Sequence, residues 1–158
     1  MANVIVRRAD LSDSNNVFCW RNDSLARRMA HSTEKVLWEN HSVWFENSLS
    51  SENSLNLICE DKTNLYQLGV VRFDFIENGT QSEISINLSP LMRGKGLAKK
   101  CLTRAISFMV NEKPLCELVV AEIKKNNERS RKSFEGAGFK LVSEDSSCWL
   151  YQLSCVSR

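Results

Sequence analysis

The run "SPLMRGKGLAKKCL", Ser89 to Leu102, puts two glycines and three lysines where a strand-like pattern gives way to a helical one. Glycine is unfavourable inside a helix, so Gly94 and Gly96 at a helix entrance point to a tight bend or a close approach. The first turn of a helix carries unpaired N–H groups and a partial positive charge, and it attracts anions. Lys95, Lys99 and Lys100 add charge there. The chemistry that suits this stretch is backbone binding of phosphate. Two common phosphate loops fail on spacing: G-x-x-x-x-G-K-[ST] is absent, and Lys99 stands at the third glycine of G-x-G-x-x-G. Taken alone, the glycines fit a plain helix-entry loop equally well.

The surrounding elements must position this loop. "NVIVRRA" alternates and is β-branched, which predicts a first strand. Asp10, Ser12 and Asp13 offer caps for a short helix carrying Val17, Phe18 and Trp20. A second helix is expected from a cap at Ser32 or Thr33, with Leu37, His41, Trp44, Phe45 and Leu49 on its apolar face. "SLNLICE" and "YQLGVVRFDFIE" read as strands. Asn78-Gly79 then predicts a hairpin into "SEISINL", with Ile84, Ile86 and Leu88 on one face and Glu83, Ser85 and Asn87 on the other. Beyond Pro90, Leu97, Cys101, Ala105, Phe108 and Met109 form a helical stripe that Pro114 ends. A buried strand, "LCELVVAEI", leads to a helix capped by Asn126 or Asn127 and stopped at Gly136 or Gly138. A terminal hairpin follows. The predicted order is β-α-α-β-β-β-α-β-α-β-β, an α/β arrangement with helices on both faces of a mixed sheet.

The 158 residues suit one domain, 1–158, and neither a repeat nor a linker interrupts them. A net charge of +2 is too small to imply nucleic acid or an anionic membrane as the main partner. No apolar run approaches the roughly 18 residues of a membrane span, and "MANVIVRRAD" lacks a signal-peptide core. Cys19, Cys59, Cys101, Cys116, Cys148 and Cys155 are scattered without a C-x-x-C. With only His31 and His41 to assist them, they read as reduced thiols of a cytoplasmic protein and not as a metal site.

"RGKGLA", Arg93 to Ala98, resembles the R/Q-x-x-G-x-G/A motif of the GNAT N-acetyltransferases. After a strand, "NNERSRKSFEGAGF" resembles the second motif of that family, N-x-x-[SA]-x-x-x-[YF/L]-x-x-x-G-F. The two in order are far more specific than either alone. The resemblance implies a GNAT fold, a mostly antiparallel sheet of about seven strands with a splayed acyl-CoA cleft. Acetyl-CoA is the implied cosubstrate, without a metal. Its pyrophosphate would meet Arg93, Gly94, Lys95, Gly96, Leu97, Ala98 and Lys99. Its pantetheine arm would meet Ile86, Asn87, Leu88 and Ser89, with Asn126, Asn127, Ser130 and Phe134 alongside. Asn127 is equally well read as a helix cap alone, and Phe134 as ordinary core.

Direct acetyl transfer needs two positioned reactants and a base for the ammonium proton. Glu83, on the polar face of the strand before the loop, is the first candidate, and Glu122 the second. Many family members carry tyrosine as general acid where this chain has Phe134. That leaves water, Ser130, Tyr66 or Tyr151 to protonate the thiolate, or an unassisted departure.

For the acceptor, "WRNDSLARRM" and "HSVWFENSL" resemble the PseH-type enzymes of pseudaminic-acid biosynthesis, which acetylate a UDP-linked 4-amino sugar. On that resemblance Trp20, Trp44 and Phe45 form a stacking platform, and Arg21, Asn22, Arg27, Arg28 and His41 meet the nucleotide; the helical spacing of Trp44 and Phe45 fits a core as well, and Arg27 and Arg28 fit a solvated face. The alternatives are a protein N-terminal or lysine acetyltransferase of the ribosomal-protein type and a non-catalytic acyl-CoA binder. A monomer or homodimer is expected, with no nucleic-acid or membrane partner.

Overall fold

The computed structural model describes residues 3–156. In chain order the elements are β1 (Val4–Arg8), α1 (Ser14–Asn22), α2 (Ser24–Met29), α3 (Trp38–Ser50), β2 (Ser54–Asp61), β3 (Gln67–Ile76) and β4 (Gln81–Leu88). Then come α4 (Leu97–Glu112), β5 (Leu118–Lys124), α5 (Glu128–Gly136), β6 (Lys140–Glu144) and β7 (Cys148–Ser154). The strands form one seven-stranded sheet in the order β1-β2-β3-β4-β5-β7-β6. Every neighbouring pair is antiparallel except β4 with β5. This is the α/β architecture that the alternation of periods predicts.

Two differences from expectation lie in the α1–α3 region. A short extra helix, α2, follows Asp23, whose carboxylate accepts the N–H groups of Leu25 and Ala26 at 3.1 Å and so caps it. The third helix starts at Trp38 and not near Ser32, leaving 30–37 without regular structure and Leu37 63% exposed. Two hydrogen bonds between the Asn22 side chain and the backbone of Val36, both 2.8 Å, hold that segment out of a helix.

The sheet has a core on each face. Leu97, Cys101, Leu102, Ala105, Ile106 and Met109 of α4 are buried against one side, together with Val71, Phe73 and Ile84. Burying each leucine, isoleucine, valine, methionine or phenylalanine among them stabilises by roughly 1.5–3 kcal/mol. Val17, Trp20 and Phe45, from α1 and α3, pack with Ile58 and Val70 on the other side. The hairpin at Asn78-Gly79 forms as expected, with Ile76 opposite Gln81. Among the described residues no helix is long and apolar enough to cross a membrane.

The functional cleft begins where the one parallel pairing fails. β4 and β5 are in register over only three steps, Gln81 with Leu118, Ser82 with Val119 and Glu83 with Val120. Beyond them β4 stays paired to β3 as far as Leu88, and β5 stays paired to β7 as far as Lys124. Each strand keeps its outer partner and loses the inner one, so a wedge opens in mid-sheet. Gly69 helps hold β4 to β3 there, because a Cβ on it would fall 2.5 Å from the Asn87 carbonyl oxygen.

Candidate active site

A cleft of about 430 Å³ fills the wedge. Ile84 to Asn87 of β4 form one wall; Glu122 and Ile123 of β5, with Asn127, Ser130 and Phe134 of α5, form the other. A channel of about 120 Å³ runs on from it between α2 and α5. Ile86, Asn87, Asn127 and Ser130 line both spaces, so they are continuous, and Leu88, Arg93 and Ala98 line the far end of the channel. Of the residues that the two sequence motifs single out, Arg93, Ala98, Asn127, Ser130 and Phe134 line these two spaces, whereas Lys95 and Leu97 line a separate one beside Tyr66 and Leu68.

At that far end, Gly94 (φ +76°) and Gly96 (φ +71°) occupy the left-handed region, which admits glycine at little cost. Gly96 is the N-cap of α4, and among the described residues no side chain caps that helix. Its first-turn N–H groups are thus without a side-chain acceptor, where a phosphate would supply one. Lys99 lies along Gly136 of α5, its Cδ 3.1 Å from where a Cβ would be. Lys95 and Lys99 are exposed. Ser89 is buried, its N–H donating to the Leu68 carbonyl at 2.8 Å. The uncapped helix start, the unpaired edge of β4 beyond Glu83 and the channel joining them fit an acyl-CoA, with pyrophosphate at the loop and pantetheine along the strand.

Asn127 caps α5, accepting the Ser130 N–H at 3.2 Å, and also lines the cleft. Asn126 is exposed and outside both spaces. Phe134 is buried edge-to-face on Phe139, their centroids 5.0 Å apart, and shows one side to the cleft. Tyr66 lies outside the cleft, 62% exposed. Tyr151 is fully buried; its hydroxyl accepts from Arg131 and donates to Glu135, which excludes it as proton donor. Ser130 is the one candidate hydroxyl of the three that lines the cleft.

The two glutamates occupy different places. Glu122 lines the cleft, with Oε1 3.7 Å from Nδ1 of His31, which sequence reasoning did not place in the site. Glu83 is exposed on the stretch where β4 and β5 are still paired and does not line the cleft.

The acceptor side corrects several expectations. Trp20 and Phe45 are core residues, 6% and 0% exposed, and offer no stacking face. His41 is fully buried, bonding through Nε2 to the Ser14 carbonyl and stacking on Phe45. Burial lowers its pKa, the Ser14 bond opposes this and the Arg21 charge adds to it, so the ring is no cation for a diphosphate. Asn22 is spent on Val36, and Arg28 is exposed beyond the cleft. Arg21 and Trp44 do line it, the guanidinium carbon 4.5 Å from the indole centroid. Arg72 of β3 approaches the same indole at 5.1 Å and ion-pairs with Asp74 at 3.0 Å. Arg27 also lines the cleft. Burial, then the Arg72 charge, lowers the pKa of Arg21, whose Nη1 is buried without a hydrogen-bond partner. The signal for Arg72 was present in the sequence, as a lone arginine within the apolar run "LGVVRF".

Known proteins share this architecture. A domain from Methanocaldococcus jannaschii is 24% identical with a TM-score of 0.82, covering 98% of this chain and 99% of that one. Spermidine N-acetyltransferase from Vibrio cholerae, solved with CoA and spermine, is 13% identical with a TM-score of 0.84, covering 96% and 95%. AAC(6')-Ib, in complex with ribostamycin and coenzyme A, is 16% identical with a TM-score of 0.82, covering 97% and 94%. No curated protein sequence matches the chain. The model of the acetyltransferase (GNAT) domain matches residues 3–140, and with most of its length so matched the chain belongs to the GNAT acetyltransferase family.

Proposed function

We propose that this N-acetyltransferase acts on the primary amine of a small anionic acceptor, a nucleotide-linked amino sugar, with Glu122 as the base. The observation that carries the reading is the position of Glu122 on the wall of the open cleft, which is continuous with the channel from the phosphate loop. Acetyl-CoA, when bound, supplies an activated thioester. The chain's residues do the rest. The α4 N–H groups beyond Gly96 hold the pyrophosphate, and Ile86 to Leu88 align the pantetheine arm. Phe134 walls off the inner end of the cleft and excludes water there. A Glu122 carboxylate oxygen takes the proton of the acceptor ammonium, directly or through one water. Ser130, which lines the cleft, is the hydroxyl that protonates the departing thiolate in this reading.

Charge supports the acceptor class. Arg21, Arg27 and Arg72 line the cleft against Glu34 and Glu122. Such a wall suits a diphosphate better than the spermine or ribostamycin of the structural neighbours, and better than a basic peptide. Arg21 and Arg27 stay as proposed anion contacts and Arg72 joins them, while Arg28 and His41 drop out. A purely acyl-CoA-binding role would leave Glu122 at the cleft without a task. The chain works as one domain, and scattered cysteines without a C-x-x-C fit a cytoplasmic location. Release of free CoA with a UDP-linked 4-amino sugar, compared with spermidine and a basic peptide, tests the reading. Turnover on the polyamine or the peptide alone would overturn it.

A further inference from the structure

The phosphate loop and the acceptor side are joined by one ion pair. Nη2 of Arg93 stands 2.7 Å from Oδ2 of Asp23, and both side chains are about four-fifths shielded from solvent. The same Oδ2 accepts the Leu25 and Ala26 N–H groups that start α2. One oxygen atom therefore both caps the helix and ties it to the loop.

The segment behind this cap is lightly held. α2 has six residues, none buried, and 30–37 has no regular structure. Besides Asp23, polar contacts fix the segment: Lys124 Nζ to the Arg28 carbonyl, Arg27 to the Thr33 carbonyl, Asn22 to Val36 and His31 to Glu122. Segments with few buried apolar contacts open at low free-energy cost. Yet this one forms a wall of both spaces. Leu25, Ala26 and Met29 line the channel, and Ala30, His31 and Val36 line the cleft.

We propose that Asp23 is a positioning residue that couples the phosphate loop to the 24–37 flap, so that acetyl-CoA in the channel sets the flap that brings His31 to Glu122. The proposal rests on the acetyl-CoA reading of the channel. An anion at the α4 start orders Arg93 and the loop, Arg93 holds Asp23, and Asp23 fixes the first turn of α2. Coupling of this kind is reciprocal, so a closed flap also slows the escape of acetyl-CoA. The acceptor then meets a finished cleft only after acetyl-CoA has bound.

The flap carries its own reporter, since trypsin cleaves after Arg27, Arg28 and Lys35. Cleavage of a locally opened segment follows its open population when reclosing is fast. Saturating acetyl-CoA should slow cleavage at these sites about 10-fold or more in the wild type, as expected for a charge-assisted contact that occupancy strengthens. Asp23→Asn keeps an acceptor for the Leu25 and Ala26 N–H groups but loses the ion pair. At matched acetyl-CoA saturation it should show less than about 3-fold protection, a raised acceptor KM and slower turnover. A thermal shift with acetyl-CoA is read in parallel. No shift in the wild type would refute the acetyl-CoA reading itself. A normal shift without flap protection in the wild type would refute the coupling, even if Asp23→Asn proved too unstable to assay. Full protection in Asp23→Asn would refute the role of the ion pair.

Discussion

Glu83 stands opposite Val120 at the last paired step between β4 and β5, and Glu122 lies two residues beyond that step, on the lip of the wedge. The two glutamates share a face of the sheet, but only Glu122 reaches the cleft. Glu122→Gln is therefore expected to lower kcat by about 10²–10⁴-fold at neutral pH, the usual cost of losing a general base. It should leave acetyl-CoA binding unchanged. Glu83→Gln should stay within about 3-fold of wild type on that same scale. Steady-state kinetics on both variants checks this, and the opposite ranking would return the role to Glu83.

At the other end of the channel the prediction concerns backbone geometry. Gly96 needs a positive φ that costs an L-residue about 1–2 kcal/mol, while no atom lies within 4 Å of an added Cβ. Gly96→Ala should fold with a modest loss of stability. Gly96→Asp adds a negative charge beside the helix start and should abolish the thermal shift given by acetyl-CoA. Titration calorimetry on the pair separates strain from charge. Equal affinities for acetyl-CoA in both variants would contradict the phosphate assignment.

His41 tests the corrected acceptor side. The ring lies in an aromatic cluster with Phe18, Trp38, Trp44 and Phe45. His41→Ala should cost about 2–4 kcal/mol through the cavity it leaves, with little change in acceptor KM for the protein that remains folded. Burial holds its folded pKa below the unfolded value, so protons bind the unfolded chain more readily. The stability His41 contributes is complete above about pH 6.5 and declines as pH falls toward its folded pKa. Denaturant midpoints of wild type and His41→Phe across this range should converge on acidification if the sign is right.

Asp13 fixes the entry to α1. It is 1% exposed, accepts both Nη atoms of Arg7 at 2.8 Å and takes the Asp10 N–H at 2.8 Å. Burial pushes its pKa up, but the Arg7 bonds and the other donors together outweigh this, and the carboxyl titrates below its usual range. Its contribution is therefore present above about pH 4 and lost as pH falls through the lowered folded value. Asp13→Asn leaves Arg7 paired with Glu60 alone and should cost about 1–3 kcal/mol at pH 7. Thermal melts at pH 7 and pH 3 should show that deficit shrinking in acid.

The loop, the helix after it and the second motif were legible because glycine, a period change and Asn127 each leave a local mark. The wedge was less so, since where β4 and β5 part depends on which outer strand each one follows. The acceptor side was the hardest to read. Trp20, His41 and Phe45 have the chemistry of a binding face, and their helical spacing fits a core equally well; burial alone separates the two. Arg21 and Arg72 lie 51 residues apart in sequence and meet only over the indole of Trp44. His31 reaches Glu122 from a segment whose course is set by a side chain, Asn22, and not by any periodicity.

The most direct test is mass spectrometry of the acceptor after incubation with acetyl-CoA. A UDP-linked 4-amino sugar, spermidine and a basic peptide are supplied at equal concentration with wild type, Glu122→Gln and Gly96→Asp. The account predicts a single acetyl group on the amino sugar with wild type, and little or none with either variant. Acetylation of spermidine or the peptide in preference to the sugar would contradict the acceptor assignment, and sugar acetylation undiminished in both variants would contradict the site.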